Sequence, residues 1–277
     1  MENKIGVVLE FRHDTDFYKK FKTAVEMGIS SCQLSIWREY IYTDDYAEII
    51  NSAVKETGIE ISAVWAGWDG PCEWNFKYGP TTIGLVPQAY RYARVQALKK
   101  AADFAQKIGV NRIITHTGFI PENPSDENFF GTVAALREVC RYLKSKNMFF
   151  LFETGQETPI TMLRTIEAIA LDNVGINFDT ANLILYGKGN SLDALDVFGK
   201  YVMDTHIKDG FYPTEGMSLG REVIAGQGKA NLPAVIKKLK ELDYKGNFTI
   251  EREIYGEQQQ KDILATKELL TKLMNEA

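Results

Sequence analysis

The chain has 277 residues, of which 45% are hydrophobic and 25% are charged, and its formal net charge is -5. The mild acidity argues against nucleic acid or an anionic membrane as the main partner, because both attract basic patches. No apolar run approaches the roughly 20 residues of a membrane helix, and three widely spaced cysteines indicate reduced thiols rather than a disulfide framework or a zinc knuckle. We therefore expect a cytoplasmic protein without a membrane or nucleic-acid partner.

Eight short runs rich in Val, Ile, Phe and Thr predict buried strands. In chain order they are residues 5–11, 31–37, 59–65, 111–117, 148–154, 173–180, 201–208 and 246–253. Helix-like segments such as 94–109 and 232–246 lie between them and end in Gly. Apolar strands that alternate with helices predict a parallel sheet covered on both faces. Eight units of roughly 35 residues match a (β/α)8 TIM barrel, so we predict an α/β protein with one domain over residues 1–277. A doubly wound open sheet is the alternative.

The ends of five consecutive predicted strands carry side chains that can bind a metal: His116, Glu153, Asp179, His206 and Glu251. In a barrel these ends form one rim, where catalytic sites lie. A single strand-end carboxylate is more often a helix cap or a surface pair, but three clustered carboxylates repel one another unless a cation lies among them. The pattern therefore predicts one divalent metal ion with four ligands: Glu153, Asp179, His206 and Glu251. The donor set suits Mn²⁺ first, with Zn²⁺, Co²⁺ or Mg²⁺ as alternatives. His116 is expected to contact the substrate or to act as an occasional ligand.

Five segments carry a family resemblance: FETGQETP, NFDTANLILYG, THIKDG, AGQGKANLP and FTIERE. Together they resemble the sugar phosphate isomerase/epimerase family of the xylose isomerase-like TIM barrel superfamily, which includes ketose 3-epimerases and inosose dehydratases. The resemblance covers nearly the whole chain and implies the same four metal ligands, with Glu153 and Glu251 as the acid/base pair. It also implies a small sugar or cyclitol as substrate and a homodimer or homotetramer.

The resemblance further implies that Arg221 contacts substrate hydroxyls and that Glu157 supports the substrate. One position departs from the family pattern, because Asn182 stands where the epimerases commonly have a histidine. Asn can hydrogen-bond a substrate oxygen but cannot exchange a proton. An asparagine at this place also suits inosose-dehydratase-like relatives.

The expected chemistry is removal of a proton next to a carbonyl, through an enediolate that the metal stabilises. One glutamate takes the proton and the other returns one on the opposite face, which gives an epimerase. Return of the proton to the neighbouring carbon gives an isomerase, and loss of a β-hydroxyl gives a dehydratase such as one acting on an inosose. The same residues suit all three reactions.

Several other residues are candidates for contact with the substrate. Lys208 follows His206 by two residues, so a continuing strand directs it to the same side. There it would bind a substrate oxygen or a phosphate, or pair with Asp209, and a Schiff base is a minor alternative. His13, after the first strand, is expected in a solvated loop, with substrate contact as the alternative.

Four aromatic residues fall at or just past predicted strand ends: Trp37, Trp65, Trp68 and Phe119. They either cap the barrel core or wall a pocket against sugar C–H groups, and we consider Trp37 and Trp68 candidate substrate-binding residues. The stretch 66–88 is too long for an ordinary βα turn, and such loops are often functional. Arg91 and Arg94 after it are expected to be surface or ion-pair residues, with a substrate phosphate as the alternative.

Two rival classes use the same fold. An endonuclease IV-like DNA repair enzyme needs several more histidines and a basic groove, whereas this chain has three histidines and a negative net charge. A non-enzymatic sugar-binding barrel would be expected to lack a glutamate or another metal ligand, and none is missing from the pattern.

Overall fold

The computed structural model describes residues 3–12 and 14–276. The prediction for His13 therefore lies outside the described residues. The described part of the chain forms ten strands, in chain order β1 (Ile5–Phe11), β2 (Ser31–Ile36), β3 (Glu60–Ala66), β4 (Arg112–Thr115), β5 (Phe149–Glu153), β6 (Val174–Asp179), β7 (Val202–Ile207), β8 (Asp209–Phe211), β9 (Arg221–Val223) and β10 (Phe248–Ile250). Strands β1 to β7 and β10 close an eight-stranded parallel barrel, while β8 and β9 form an antiparallel hairpin. The predicted (β/α)8 barrel is confirmed, and the doubly wound alternative is wrong.

Helices lie between the strands, and polar caps fix where several of them begin. They are α1 (Phe17–Glu26), α2 (Asp44–Thr57), α3 (Gly79–Thr82), α4 (Gln88–Lys107), α5 (Glu127–Lys144), α6 (Pro159–Ile169), α7 (Asn182–Leu185), α8 (Ser191–Phe198), α9 (Leu232–Glu241) and α10 (Glu257–Glu276), with 3-10 turns at Glu39–Ile41 and Gly199–Tyr201. The Thr43 and Thr158 side chains accept backbone N–H bonds at the starts of α2 and α6, which satisfies donors that a helix cannot pair itself. Among the described residues, no helix is both long and apolar enough to cross a membrane.

Strand register brings the predicted ligands to one rim. Asp179 at the end of β6 pairs with His206 on β7, and Glu153 at the end of β5 pairs with Asn177 on β6. Strand β10 ends at Ile250, so Glu251 lies just beyond it. Because all eight strands are parallel, these ends meet at the same face of the barrel.

The long stretch 66–88 folds back over α4 and is held there by arginines. Arg94 is 1% exposed; its guanidinium donates to the carbonyl oxygens of Gly84 and Pro71 at 2.5 and 2.9 Å and lies over the Trp68 ring. Arg91 donates to two further carbonyl oxygens of the same stretch. The predicted surface or ion-pair role is therefore wrong for Arg94, since its buried guanidinium donates to backbone carbonyl groups of this stretch, which a buried donor requires.

Candidate metal centre

Four side chains converge at the carboxyl ends of neighbouring strands. Glu153, Asp179, His206 and Glu251 each offer one ligand atom, and these atoms all lie within 4.8 Å of one another. The first three side chains are buried, whereas Glu251 is 15% exposed and faces the barrel mouth. The cluster is the one that the sequence pattern predicts.

His206 lies at the centre of this cluster and directs one ring nitrogen at it. Its Nδ1 is 2.9 Å from Glu153 Oε1, 3.4 Å from Glu251 Oε2 and 3.9 Å from Asp179 Oδ2. Burial lowers the pKa of His206, but the charges of Glu251 and Glu153 raise it by more, so its pKa lies well above the ordinary value. The imidazole therefore serves as a positive partner when no other cation is among the carboxylates.

Glu153 is surrounded by groups that favour its ionised form. The Trp65 indole N–H donates to Oε2, while Oε1 faces His206 and lies 3.7 Å from His116 Nε2. Asn182 Nδ2 is 3.5 Å from the same Oε1. Burial raises the pKa of Glu153, but His206 and His116 lower it by a larger amount, so the net shift is downward.

Asp179 has one satisfied and one unsatisfied oxygen. Its Oδ1 accepts the backbone N–H bonds of Ala181 and Asn182, both at 2.7 Å, where α7 begins. Its Oδ2 is buried and accepts no hydrogen bond from any described residue. Burial raises the pKa of this carboxyl well above the ordinary value, although Lys208 acts in the opposite direction. A buried oxygen without a donor that points into a cluster of ligands is what a bound cation would complete.

Lys208 is a second positive charge at the cluster. It is 2% exposed, and its Nζ lies 3.0 Å from Glu251 Oε2 and 2.9 Å from Glu253 Oε2. Burial raises the pKa of Glu251, but Lys208 and His206 lower it well below the ordinary value. The suggested pairing with Asp209 is wrong, because Asp209 instead accepts backbone N–H bonds from the loop that follows β9, at Gly226, Gly228 and Ala230.

The charges and donor atoms of this centre fit a divalent cation. Three carboxylates converge here, and Lys208 is shared between Glu251 at 3.0 Å and Glu253 at 2.9 Å, so one lysine does not neutralise the cluster. A dication would stabilise the ionised form of Asp179 and replace the positive charge of His206. Three carboxylate oxygens and one imidazole nitrogen form a donor set that several divalent metals accept.

Other predicted substrate-binding residues divide into two groups. His116, Asn182 and Trp37 line the cavity above the cluster, and Lys208 donates to Asn182 Oδ1 at 3.3 Å. Trp68 is buried beneath Arg94 rather than at the cavity wall.

Arg221 and Glu157 also lie outside the cavity lining. Arg221 is an exposed residue of the β8–β9 hairpin, and its guanidinium lies over the Phe211 ring at 5.2 Å. Glu157 is 1% exposed, and burial raises its pKa to about 8. Their predicted contacts with substrate stay predictions.

Three residues at the centre have roles that sequence reasoning missed. Gln33 on β2 lies inside the barrel with its Oε1 2.6 Å from His206 Nε2, and Trp65 donates to Glu153. Trp74, from the stretch 66–88, lies with its ring 5.1 Å from that of His116. A glutamine inside an otherwise buried strand was the available signal for Gln33, and the unusual length of 66–88 was the signal for Trp74.

A cavity of about 900 Å³ opens from the cluster towards solvent. Its inner wall is formed by Trp37, Trp65 and Trp74, with Glu153 and Glu251 at its floor. The cavity continues sideways as a crevice over β1, between α1 and α10. Apolar ring faces beside a few convergent polar groups are typical of a small-molecule site.

Comparison with known proteins places this geometry in context. A family model described as xylose isomerase-like TIM barrel matches residues 21–273. The uncharacterized protein MJ1311 of Methanocaldococcus jannaschii is 26% identical over 192 residues, which cover 65% of this chain and 62% of that protein. The chain thus matches less than two thirds of the length of that relative.

Two solved structures extend the comparison. A xylose isomerase domain protein from Planctomyces limnophilus is 32% identical, with 99% of this chain and 98% of that chain covered and a TM-score of 0.92. A D-tagatose 3-epimerase-like protein has a TM-score of 0.74 at 18% identity, with 98% of this chain and 97% of that chain covered. The second likeness is one of fold.

Proposed function

The chain belongs to the xylose isomerase-like TIM barrel family, and on that premise we propose that it is a divalent-metal-dependent isomerase or epimerase of a sugar or sugar phosphate. The observation that carries the proposal is the cluster itself: three carboxylates and one imidazole converge within 4.8 Å. One buried oxygen, Asp179 Oδ2, accepts no hydrogen bond from the described residues, and Lys208 Nζ lies 3.7 Å from it. The likeness to a D-tagatose 3-epimerase-like protein supports sugar chemistry at such a centre.

The cation would be held by Glu153, Asp179, His206 and Glu251, with Mn²⁺ as our first choice. When bound, such an ion supplies Lewis-acid polarisation of a carbonyl and a template for the adjacent hydroxyl. Proton transfer and orientation of the substrate would be carried out by side chains of the protein.

Glu153 and Glu251 are the proposed acid/base pair. They come from β5 and the end of β10, on different sides of the cluster, and both line the cavity. One carboxylate would take the proton next to the carbonyl and the other would return one. Lys208 and His206 lower the pKa of Glu251 despite its burial, which keeps that carboxylate ionised.

Three neighbours would orient the substrate over this pair. His116 and Asn182 line the cavity, and the Lys208 ammonium group lies 3.0 Å from Glu251. Each can donate a hydrogen bond to a sugar oxygen. The aromatic wall of Trp37 and Trp74 would exclude water from the site and offer ring faces to C–H groups.

A solvent-exchange screen tests the proposal. Metal-loaded protein would be incubated in D₂O with a panel of ketoses, aldoses, their phosphates and inososes, and deuterium incorporation would be followed by NMR. We expect label at one carbon next to a carbonyl, with an epimerised or isomerised sugar as product and no incorporation by the Glu251→Gln variant. Absence of exchange over the whole panel, or cleavage of abasic-site DNA, would overturn it.

The same screen separates the dehydratase alternative. Asn182, in place of the histidine common in epimerases, favours an inosose-dehydratase-like reaction. In that case the product of an inosose would lose water and absorb in the ultraviolet. Detection of that product in place of an epimerised ketose would assign the centre to a hydro-lyase.

A further inference from the structure

One ring nitrogen of His206, Nε2, makes a contact that the proposed acid/base chemistry does not use. Nδ1 faces the carboxylate cluster, whereas Nε2 points into the barrel interior and lies 2.6 Å from Gln33 Oε1. Gln33 stands on β2, across the barrel from β7, and its side chain is 0% exposed. The contact is therefore closed to solvent and is made by a residue outside the cluster of Glu153, Asp179, His206 and Glu251.

Gln33 is in turn held by a second buried amide. Its Nε2 donates to Asn177 Oδ1 at 3.0 Å, and Asn177 lies on β6 with 0% exposure. This bond places the amide nitrogen of Gln33 towards β6 and its oxygen towards His206. A chain of Asn177, Gln33 and His206 thus crosses the barrel beneath the cluster.

An amide oxygen only accepts hydrogen bonds, so His206 must carry a hydrogen on Nε2 to make this contact. A neutral imidazole with its hydrogen on Nε2 has its free lone pair on Nδ1. That is the nitrogen that lies 2.9 to 3.9 Å from the three carboxylates. The opposite tautomer would direct an N–H bond at the position of the cation and leave two acceptors facing each other inside the barrel.

We propose that Gln33, held by Asn177, is a positioning residue that keeps the hydrogen of His206 on Nε2 and so presents Nδ1 to a divalent cation. The inference rests on the proposed metal centre but concerns a residue outside it. Partners of this kind are worth 10- to 100-fold in metal affinity in other metalloproteins. The same contact orients the imidazole ring, because rotation about its side-chain bonds would break the bond to Gln33.

The test measures metal binding, not turnover. Mn²⁺ affinity would be determined by titration calorimetry at one pH for the wild type, Gln33→Leu and Gln33→Glu. We expect a loss of roughly 10- to 100-fold for Gln33→Leu and an affinity within a few-fold of the wild type for Gln33→Glu, because a carboxylate accepts the same hydrogen bond. The matched control is Asn247→Leu, which removes another buried amide, bonded to Ser31 at 2.9 Å, and should lower thermal stability without lowering affinity.

A spectroscopic readout separates positioning from a merely structural role. Long-range ¹H–¹⁵N correlation spectra of the zinc-loaded wild type should show His206 with its hydrogen on Nε2, and Gln33→Leu should lose this single tautomer. A hydrogen on Nδ1 in the loaded wild type overturns the proposal even if Gln33→Leu fails to fold. Equal Mn²⁺ affinity of Gln33→Leu and the wild type overturns it as well, whereas a wild type that binds none of Mn²⁺, Zn²⁺, Co²⁺ and Mg²⁺ overturns the proposed function instead.

Discussion

Glu153 and Glu157 lie four residues apart on the same rim, and both are almost fully buried, at 2% and 1% exposure. Burial raises the pKa of both carboxyl groups, yet the net shifts are opposite. Glu153 meets His206, His116 and the Trp65 N–H, and its pKa falls below the ordinary value. Glu157 meets no comparable cation, and its pKa rises to about 8.

The comparison teaches that burial alone does not make a carboxylate a ligand. A buried carboxyl group without a positive partner stays protonated near neutral pH and is a poor donor for a cation. A buried carboxyl group that contacts histidines and an indole N–H donor is ionised and can bind a cation. The difference between the two glutamates lies in what the neighbouring strands bring to each of them.

The largest effect is expected when each glutamate is replaced by its neutral isostere. Glu153→Gln removes a charged ligand, so we expect turnover to be abolished and Mn²⁺ affinity to fall by more than the roughly 100-fold that outer partners reach. Glu157→Gln replaces a group that is already neutral at pH 7, so its Mn²⁺ affinity should stay within a few-fold of the wild type. Calorimetric titration of the two variants, with circular dichroism to check the fold, makes the measurement. Equal losses in both would mean that the two glutamates do not differ in their contribution to metal binding.

Removal of the His206 imidazole, the central side chain of the cluster, should have the next largest effect. His206→Ala deletes the imidazole that lies 2.9 Å from Glu153 and 3.4 Å from Glu251, and we expect metal to be lost before the fold is. Metal content per chain after gel filtration, measured by mass spectrometry, should be near zero for His206→Ala. His116→Ala is the matched control, because His116 is more distant at 3.7 Å, and it should retain most of its metal.

A smaller effect is expected in the pH dependence of stability. In the folded protein Glu157 titrates near pH 8, whereas in the unfolded chain it titrates near 4.3. Between these values the folded state binds more protons, so its contribution to the free energy of unfolding falls as pH rises, by at most about 1.4 kcal/mol per pH unit. Below pH 4 the contribution is fully present, and above pH 8 it is lost.

Chemical denaturation of metal-free wild type and Glu157→Gln from pH 5 to pH 8 measures this contribution. The difference in free energy of unfolding between the two proteins should decline steadily towards high pH. Other titrating groups are common to both and cancel in the difference. A difference that is flat over this range would mean that Glu157 is ionised in the folded protein.

The barrel and the convergence of the four proposed ligands could be predicted from the sequence because both depend on periodic features. Strand spacing predicts the barrel, and parallel strands bring their ends to one rim, so Glu153 and Asp179 were found from position alone. The partners of these residues could not be found in this way. Gln33 reaches His206 across the barrel interior, and the sequence contains no signal for which residues face each other there.

Arg94 shows the same limit outside the centre. In the sequence it is one of two arginines near the start of a helix, a position typical of surface residues. Its burial follows from the path of the stretch 66–88, whose carbonyl groups it meets. The opposite charge states of Glu153 and Glu157 likewise depend on neighbours that are distant in the chain.

The smallest effect is expected when Glu153 loses one hydrogen-bond donor. Its ionised form would then be less stabilised, and in this respect Glu153 would be closer to Glu157. Trp65→Phe removes the indole N–H that bonds Oε2 but leaves Oε1 beside His206 at 2.9 Å. Loss of a single hydrogen bond to a buried charge costs about 1–3 kcal/mol, so the free energy of unfolding of the metal-free protein should fall by that amount. Mn²⁺ affinity should change by less than 10-fold, because the ligand oxygen keeps its surroundings. Trp37→Phe, at a ring packed 4.5 Å from Trp65, controls for the loss of indole volume, and equal stability of the two variants would show that the Trp65 bond does not hold Glu153 in its ionised form.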